Sequence, residues 1–267
     1  MRSVLGIDAA WTDRNPSGIA LIAEQDGQWR CKAVAPSYQA FLGISQNAAA
    51  DWAARHHGDQ PDLDALIIAC RALTGSAPDV IAIDMPLSYQ SIGGYRAADR
   101  ALSKAFAAFK CSVLPPSETM PGPISDRLRA ACGLAGWPLA TDQVATITPA
   151  LIEVYPHAAI VRLMNLRERL TYKESRARKY WPQATASERR TALAECLTQL
   201  RSALDDQITD IVLPTMHGAD PIKRHAIKAY EDAMDALVCA WVGAEYLAGR
   251  AEPFGDETAA IWVPKPR

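Results

Sequence analysis

Apolar residues come in short blocks along this chain, and three of the blocks end in an acid. Val80-Ile81-Ala82-Ile83 runs into Asp84-Met85-Pro86, a pattern that predicts a buried strand delivering its carboxylate to a sheet edge. Ser3-Val4-Leu5-Gly6-Ile7 does the same for Asp8, and Leu151-Ile152 for Glu153, just before Val154-Tyr155-Pro156. A polar turn through Ser17 separates the Asp8 strand from a second, Gly18 to Ala23. Glu24-Gln25-Asp26-Gly27 then predicts a hairpin into a third strand, about Trp29 to Ala35. Helical spacing of Ala and Leu predicts helices over about Gln39 to His57 and Leu63 to Leu73, and Gly93-Gly94 precedes another over about Tyr95 to Phe109.

The pattern then loosens. Pro115-Pro116, Pro121-Gly122-Pro123 and Gly136-Trp137-Pro138 punctuate a Pro-rich loop insertion, about residues 110–148, with one short helix near Ser125 to Ala131. So long a connection is either a lid or substrate loop or a plain insertion. A charged helical insertion follows over about 157–210, then a last helix, about Ile222 to Leu247, and an extended tail at Ile261-Trp262-Val263-Pro264. Three antiparallel strands followed by strand, helix, strand predict an α/β chain, with residues 1–267 forming one domain.

Composition narrows the function classes. About half of the 267 residues are apolar, no run approaches the roughly 20 needed to span a bilayer, and no leader pattern opens the chain, so the expected setting is cytoplasmic without a membrane. Six singly scattered cysteines suit neither a zinc site nor a disulfide framework. A formal net charge of −2 leaves nucleic-acid binding to a local patch. One exists: Arg162, Arg167, Arg169, Lys173, Arg176, Arg178, Lys179, Arg189 and Arg190 outnumber Glu168, Glu174 and Glu188. It is either a solvated helical face or a backbone-binding one.

The acids carry the chemistry. Asp232 and Asp235 share a helix face, with Glu231 four residues before Asp235, and Asp235 opens the helix's most apolar stretch. Each acid alone suits a loop or a helix cap. Together, Asp8, Asp84 and Asp235, with Asp232, form a set of oxygen ligands that suits Mg²⁺ or Mn²⁺ better than zinc. His157, four residues after Glu153, either approaches this site or only starts a helix.

The order of elements is that of the RNase H-like fold, a mixed sheet with flanking helices. The chain resembles, over nearly its whole length, the family of predicted RNase H-like nucleases known as domain of unknown function 429. The strings that carry the resemblance are Gly6-Ile7-Asp8-Ala9-Ala10-Trp11 with Asn15-Pro16-Ser17-Gly18, Ala82-Ile83-Asp84-Met85-Pro86-Leu87, Arg96-Ala97-Ala98-Asp99-Arg100, Glu153-Val154-Tyr155-Pro156, Tyr172-Lys173, and Asp235-Ala236-Leu237-Val238-Cys239-Ala240. The closing Asp232-x-x-Asp235-Ala-Leu also resembles the final acidic motif of Holliday-junction resolvases. The resemblance implies a metal-dependent nuclease acting on nucleic acid. Asp8, Asp84 and Asp235 would hold two cations, Asp232 and Glu153 would assist as outer ligands or general base, and Lys173 would meet a substrate phosphate. Arg176 and Arg178 join Lys173 as phosphate contacts where the basic run is a backbone-binding face rather than a solvated one. Two alternatives stand beside it: an ATP-dependent phosphotransferase of the actin and sugar-kinase type, and a non-catalytic scaffold binding nucleic acid or protein. Oligomeric state is left open.

Overall fold

A computed structural model describes residues 1–142, 146–215 and 223–266. Its centre is an eight-stranded mixed sheet: β1 (Ser3–Asp8), β2 (Gly18–Gln25), β3 (Gln28–Ala35), β4 (Val80–Ile83), β5 (Ala150–Val154), β6 (Ile208–Thr209), β7 (Ala251–Gly255) and β8 (Ala260–Pro264). The order across the sheet is β6-β3-β2-β1-β4-β5-β8-β7. β1, β2 and β3 are antiparallel neighbours, β4 and β5 run parallel to β1, and β8 runs parallel to β5. The β2–β3 hairpin closes through Asp26 (φ 53°) and Gly27 (φ 76°), the left-handed pair that a two-residue turn requires.

Both faces of the sheet are covered, so the central strands read as continuous apolar blocks while their side chains still alternate. Val4, Ala20, Val80, Ala82, Ala150 and Ile152 pack into one core with α5 (Pro156–Met164), α7 (Ala186–Asp205) and α8 (Arg224–Leu247). Leu5, Ile7, Leu21, Ile81, Ile83 and Leu151 pack into the other with α1 (Tyr38–Ser45), α2 (Leu63–Thr74) and α4 (Pro123–Leu134). The Pro-rich segment thus seals one face: Leu128, Cys132 and Trp137 are buried, and the Trp137 indole N–H donates to the Pro78 carbonyl at 2.8 Å. α3 (Ala97–Ala105) packs on β7 and β8 around a third core. Among the described residues, no helix is long and apolar enough to cross a membrane.

α8 lies directly on β1 and β2. Ala226, Ala229, Ala233, Ala236, Ala240 and Ala244 keep it slim along its length, and the strands answer with glycine. A Cβ on Gly6 would stand 2.1 Å from the Ala236 carbonyl oxygen, and one on Gly18 would stand 2.1 Å from that of Asp232. At these positions contact with backbone, not backbone conformation, demands glycine.

Several sequence expectations need correction. The helix expected over Gln39 to His57 ends at Ser45. Asn47 turns left-handed (φ 67°), the Ala48 amide closes on the Gly43 carbonyl, and Asp51 then captures the Ala53 and Ala54 amides in a local turn. The stretch expected to be helical over 157–210 breaks at Asn165 (φ 50°). Its continuation runs without helix to Lys173, burying Leu170 and Tyr172 in the core, before a short α6 (Ala177–Tyr180) and then α7. β6 and β7 were not expected: one has two residues, and the other carries Pro253 and Gly255, which an edge strand tolerates. The last helix begins at Arg224; Ile222 and His217 lie outside the described residues.

The glycine floor under α8 yields a stability test. Gly18→Ala is expected to lower unfolding free energy by at least about 1–3 kcal/mol, the range for overpacking a tight contact, because a carbonyl must move and no flexible side chain can yield. Urea denaturation of the two proteins measures it, and an unchanged midpoint would mean that α8 does not rest on β2 as described.

Candidate functional site

Register explains which acids meet. β1 and β4 pair Ile7 with Ile83, so Asp8 and Asp84 emerge side by side at the same strand ends, and the Asp84 amide donates to the Ile7 carbonyl at 2.9 Å. Both follow residues of the α8-facing set, Gly6 and Ala82, at the two-residue interval that keeps one face. α8 supplies Asp232 and Asp235 from above. Glu153 is out of phase: it pairs with Ile83, one residue short of Asp84, and alternates with Ile152 and Val154, which join the α8-side core. A one-residue offset reverses the face.

Glu153 instead belongs to a clamp. Arg96 donates to both its oxygens at 2.6 Å each, to both oxygens of Asp99 at 2.7 and 3.0 Å, and to the Leu87 carbonyl at 2.6 Å. The Leu87 amide donates back to Glu153 at 2.7 Å. All three ionised groups are buried, so this network fixes the loop that follows Asp84 to β5 and α3. Arg96 and Asp99 were part of a family string, three residues apart, but no spacing in the sequence pointed to Glu153.

Lys173 is mostly buried and lines the cavity beside the site. Its side chain is only 19% exposed and its ammonium binds Asp235, with Glu231 at 3.4 Å. The Tyr172 hydroxyl donates to the other Asp235 oxygen at 2.5 Å. Lys228, which the sequence reading missed, binds Asp232 and stands 3.3 Å from Glu231. Its signal was present: it precedes Glu231 by three residues and Asp232 by four, which is salt-bridge spacing on a helix. Arg176 and Arg178 are exposed, and of the two only Arg176 lines the cavity beside the site.

Electrostatics set the two strand acids apart. No described side chain donates a hydrogen bond to Asp84, and Asp8 has only Asp232 as a side-chain hydrogen-bond partner. Burial, then the charge of Asp232, pushes the Asp8 pKa up to about 7 against the pull of Lys173 and Lys228. Burial and Asp8 push Asp84 well above the carboxylate range. Asp235 rises to about 6 through burial, with Lys173 opposing and Asp8 adding. Burial works against the Lys173 ammonium, but Asp235, Tyr172 and Glu231 hold its pKa well above that of an ordinary lysine.

The donor set is hard oxygen, and Asp8 and Asp84, at half-buried positions, form no ion pair with any described residue, which fits a divalent cation held by one or two carboxylates plus water. Among the described residues, no three acidic, histidine or cysteine side chains converge as a ready-made metal centre. The lysines already engage Asp232 and Asp235.

A cavity of about 480 Å³ opens beside these groups. Asp84, Lys173, Glu231, His157, Arg169 and Arg176 are among the residues that line it. His157 occupies the first turn of α5 and lines the cavity that Asp84 also lines.

A pH test follows from the raised acids. A carboxyl whose folded pKa exceeds its unfolded value near 4 holds its proton more tightly when folded. Its stabilising contribution is therefore complete in acid and lost as pH rises through the folded pKa. With values of about 7 for Asp8 and about 6 for Asp235, the loss falls between about pH 4 and 7. In chelator, the melting temperature is expected to fall as pH rises through that window, and less steeply in Asp8→Asn. At neutral pH that variant should be as stable as the parent or more so, where most buried substitutions cost about 0.5–3 kcal/mol. Parallel pH profiles for the two proteins would contradict the cluster.

A model of the family described as protein of unknown function (DUF429) matches residues 6–260. No curated protein and no solved structure matches the chain.

Proposed function

The chain belongs to the DUF429 family, and from its acid pair we propose that it is a metal-dependent nuclease built on an RNase H-like core. The observation that carries the reading is the placement of Asp8 and Asp84 at the ends of adjacent parallel strands, with no ion-pair partner among the described residues, beneath two further acids of α8. The strand order β3-β2-β1-β4-β5, antiparallel and then parallel, with a long helix across β1, β2 and β4, supports the fold part of the reading.

Asp8 and Asp84 would hold a Mg²⁺ or Mn²⁺ ion, and Asp232 and Asp235 would join only where Lys228 and Lys173 give way. When bound, such a cation supplies Lewis acidity and a water acidified toward neutrality. The chain's own residues do the rest. Lys173, anchored by Asp235 and Glu231, keeps a fixed positive charge at the cavity wall, where it balances charge developing on a phosphoryl group. Tyr172 fixes the Asp235 carboxylate that orients Lys173. Arg96, through Glu153 and Leu87, holds the segment after Asp84 in place. Glu153 is thus a positioning residue in this reading, since both its oxygens are engaged by Arg96.

The two lysines also favour a second reading, a non-catalytic scaffold in which they have taken over charge balance from a metal. Two measurements separate the readings. Purified protein with Mn²⁺ and labelled single-stranded and duplex DNA and RNA is expected to hydrolyse at least one substrate, and Asp8→Asn and Asp84→Asn are each expected to lose about 10²-fold or more, the scale of removing one electrostatic stabiliser. Mn²⁺ is also expected to stabilise the parent, by about 2.7 kcal/mol at a hundredfold excess over Kd, and Asp84→Asn much less. Full activity in Asp84→Asn, or a metal shift equal in both proteins, would sink the nuclease reading.

A further inference from the structure

The charges around the cavity do not balance evenly. Arg96, Lys173 and Lys228 each have a carboxylate partner. Arg169 and Arg176, on the same cavity, have no side-chain hydrogen bond or ion pair with any described residue. The acids nearest them in sequence are engaged elsewhere, Glu168 by Lys110 at 2.6 Å and Glu174 by Arg224 at 2.8 Å. His157 lines the same cavity. It is 8% exposed and its ring hydrogen-bonds no described residue, Nδ1 being fully buried, although the ring packs edge-on against Tyr155 and Tyr172. Burial, then Lys173, Arg169 and Arg176, lowers its pKa well below the ordinary value, which leaves a neutral ring with one N–H to donate. The positive end of the α5 dipole begins at the same wall.

We propose that Arg169, Arg176 and His157 form a subsite for the terminal phosphate of a nucleotide strand, so that the nuclease acts at strand ends. Two unpaired guanidiniums match a phosphate monoester, which carries about −1.5 to −2 at neutral pH, better than an internal diester with a single charge. The cavity's about 480 Å³ falls within the roughly 300–1,000 Å³ of small-ligand pockets, whereas specific duplex recognition buries about 1,000–2,500 Å² of protein surface. Trp11 lines the same cavity and offers a face on which a terminal base stacks. The inference deepens the nuclease reading by naming its substrate class.

The test measures binding without turnover. Full-length protein in chelator is titrated with fluorescent trinucleotides that carry a terminal phosphate at the 5′ end, at the 3′ end or at neither. The parent is expected to prefer one phosphorylated form by about tenfold or more, as two charge-assisted contacts imply. The preference should fall below about twofold in Arg169→Gln/Arg176→Gln, weaken in Arg176→Gln and His157→Asn, and persist in Arg178→Gln. Arg176 is exposed, so its single variant reports even if the double variant does not fold. Equal affinity for all three trinucleotides, or a preference that survives Arg176→Gln unchanged, would overturn the subsite. Preference without Mn²⁺-dependent hydrolysis keeps the subsite and removes the nuclease; hydrolysis without preference does the reverse.

Discussion

The close seating of α8 on a glycine floor is the contact on which the rest of this structure depends. Gly6 and Gly18 let the helix backbone come within van der Waals reach of β1 and β2, and that approach carries Glu231, Asp232 and Asp235 into the protein. Buried carboxylates are costly unless paired. The fold meets the cost with two lysines: Lys228 from one turn back on α8, and Lys173 from the extended segment whose other anchor is the core residue Tyr172. The irregular path from Asn165 to Lys173 is therefore a structural necessity of the helix above it, and it also brings Arg169 and Arg176 to the cavity.

Much of this was legible in the residues, and the reasons for the remainder are physical. Apolar blocks that end in acids predicted β1 and β4, and the shared parity of Asp8 and Asp84 with the α8-facing positions follows from strand alternation alone. Glu153 was grouped with them because pairing register is a tertiary quantity: nothing local shows that it aligns with Ile83 and not with Asp84. Lys228 was readable from helical spacing but was overlooked among the acids. The charged run after His157 read as one helical face because propensity sums over a window, whereas burial of Leu170 and Tyr172 decided the conformation. Two short edge strands left almost no pattern to read.

The site divides into parts held by different means. Asp8 and Asp84 owe their positions to sheet register, Asp232 and Asp235 to helix docking, and Glu153 to the Arg96 clamp. This division explains why burial shifts the acids upward while both lysines stay charged: each lysine faces at least two carboxylates, whereas Asp8 has the charge of Asp232 against it and Asp84 that of Asp8. Positive and negative groups thus share one cavity without cancelling.

β1 lies mid-sheet and is made well before the helix that roofs it. During synthesis, at about 5–20 residues per second, Asp8 and Asp84 leave the ribosome long before α8 exists. Until then their carboxylates are hydrated and ionised like any others. The desolvation that sets them apart requires α8, which follows both strands in the chain. A nascent or partly unfolded chain that has paired β1 with β4 but has not docked α8 carries both strand acids and no site.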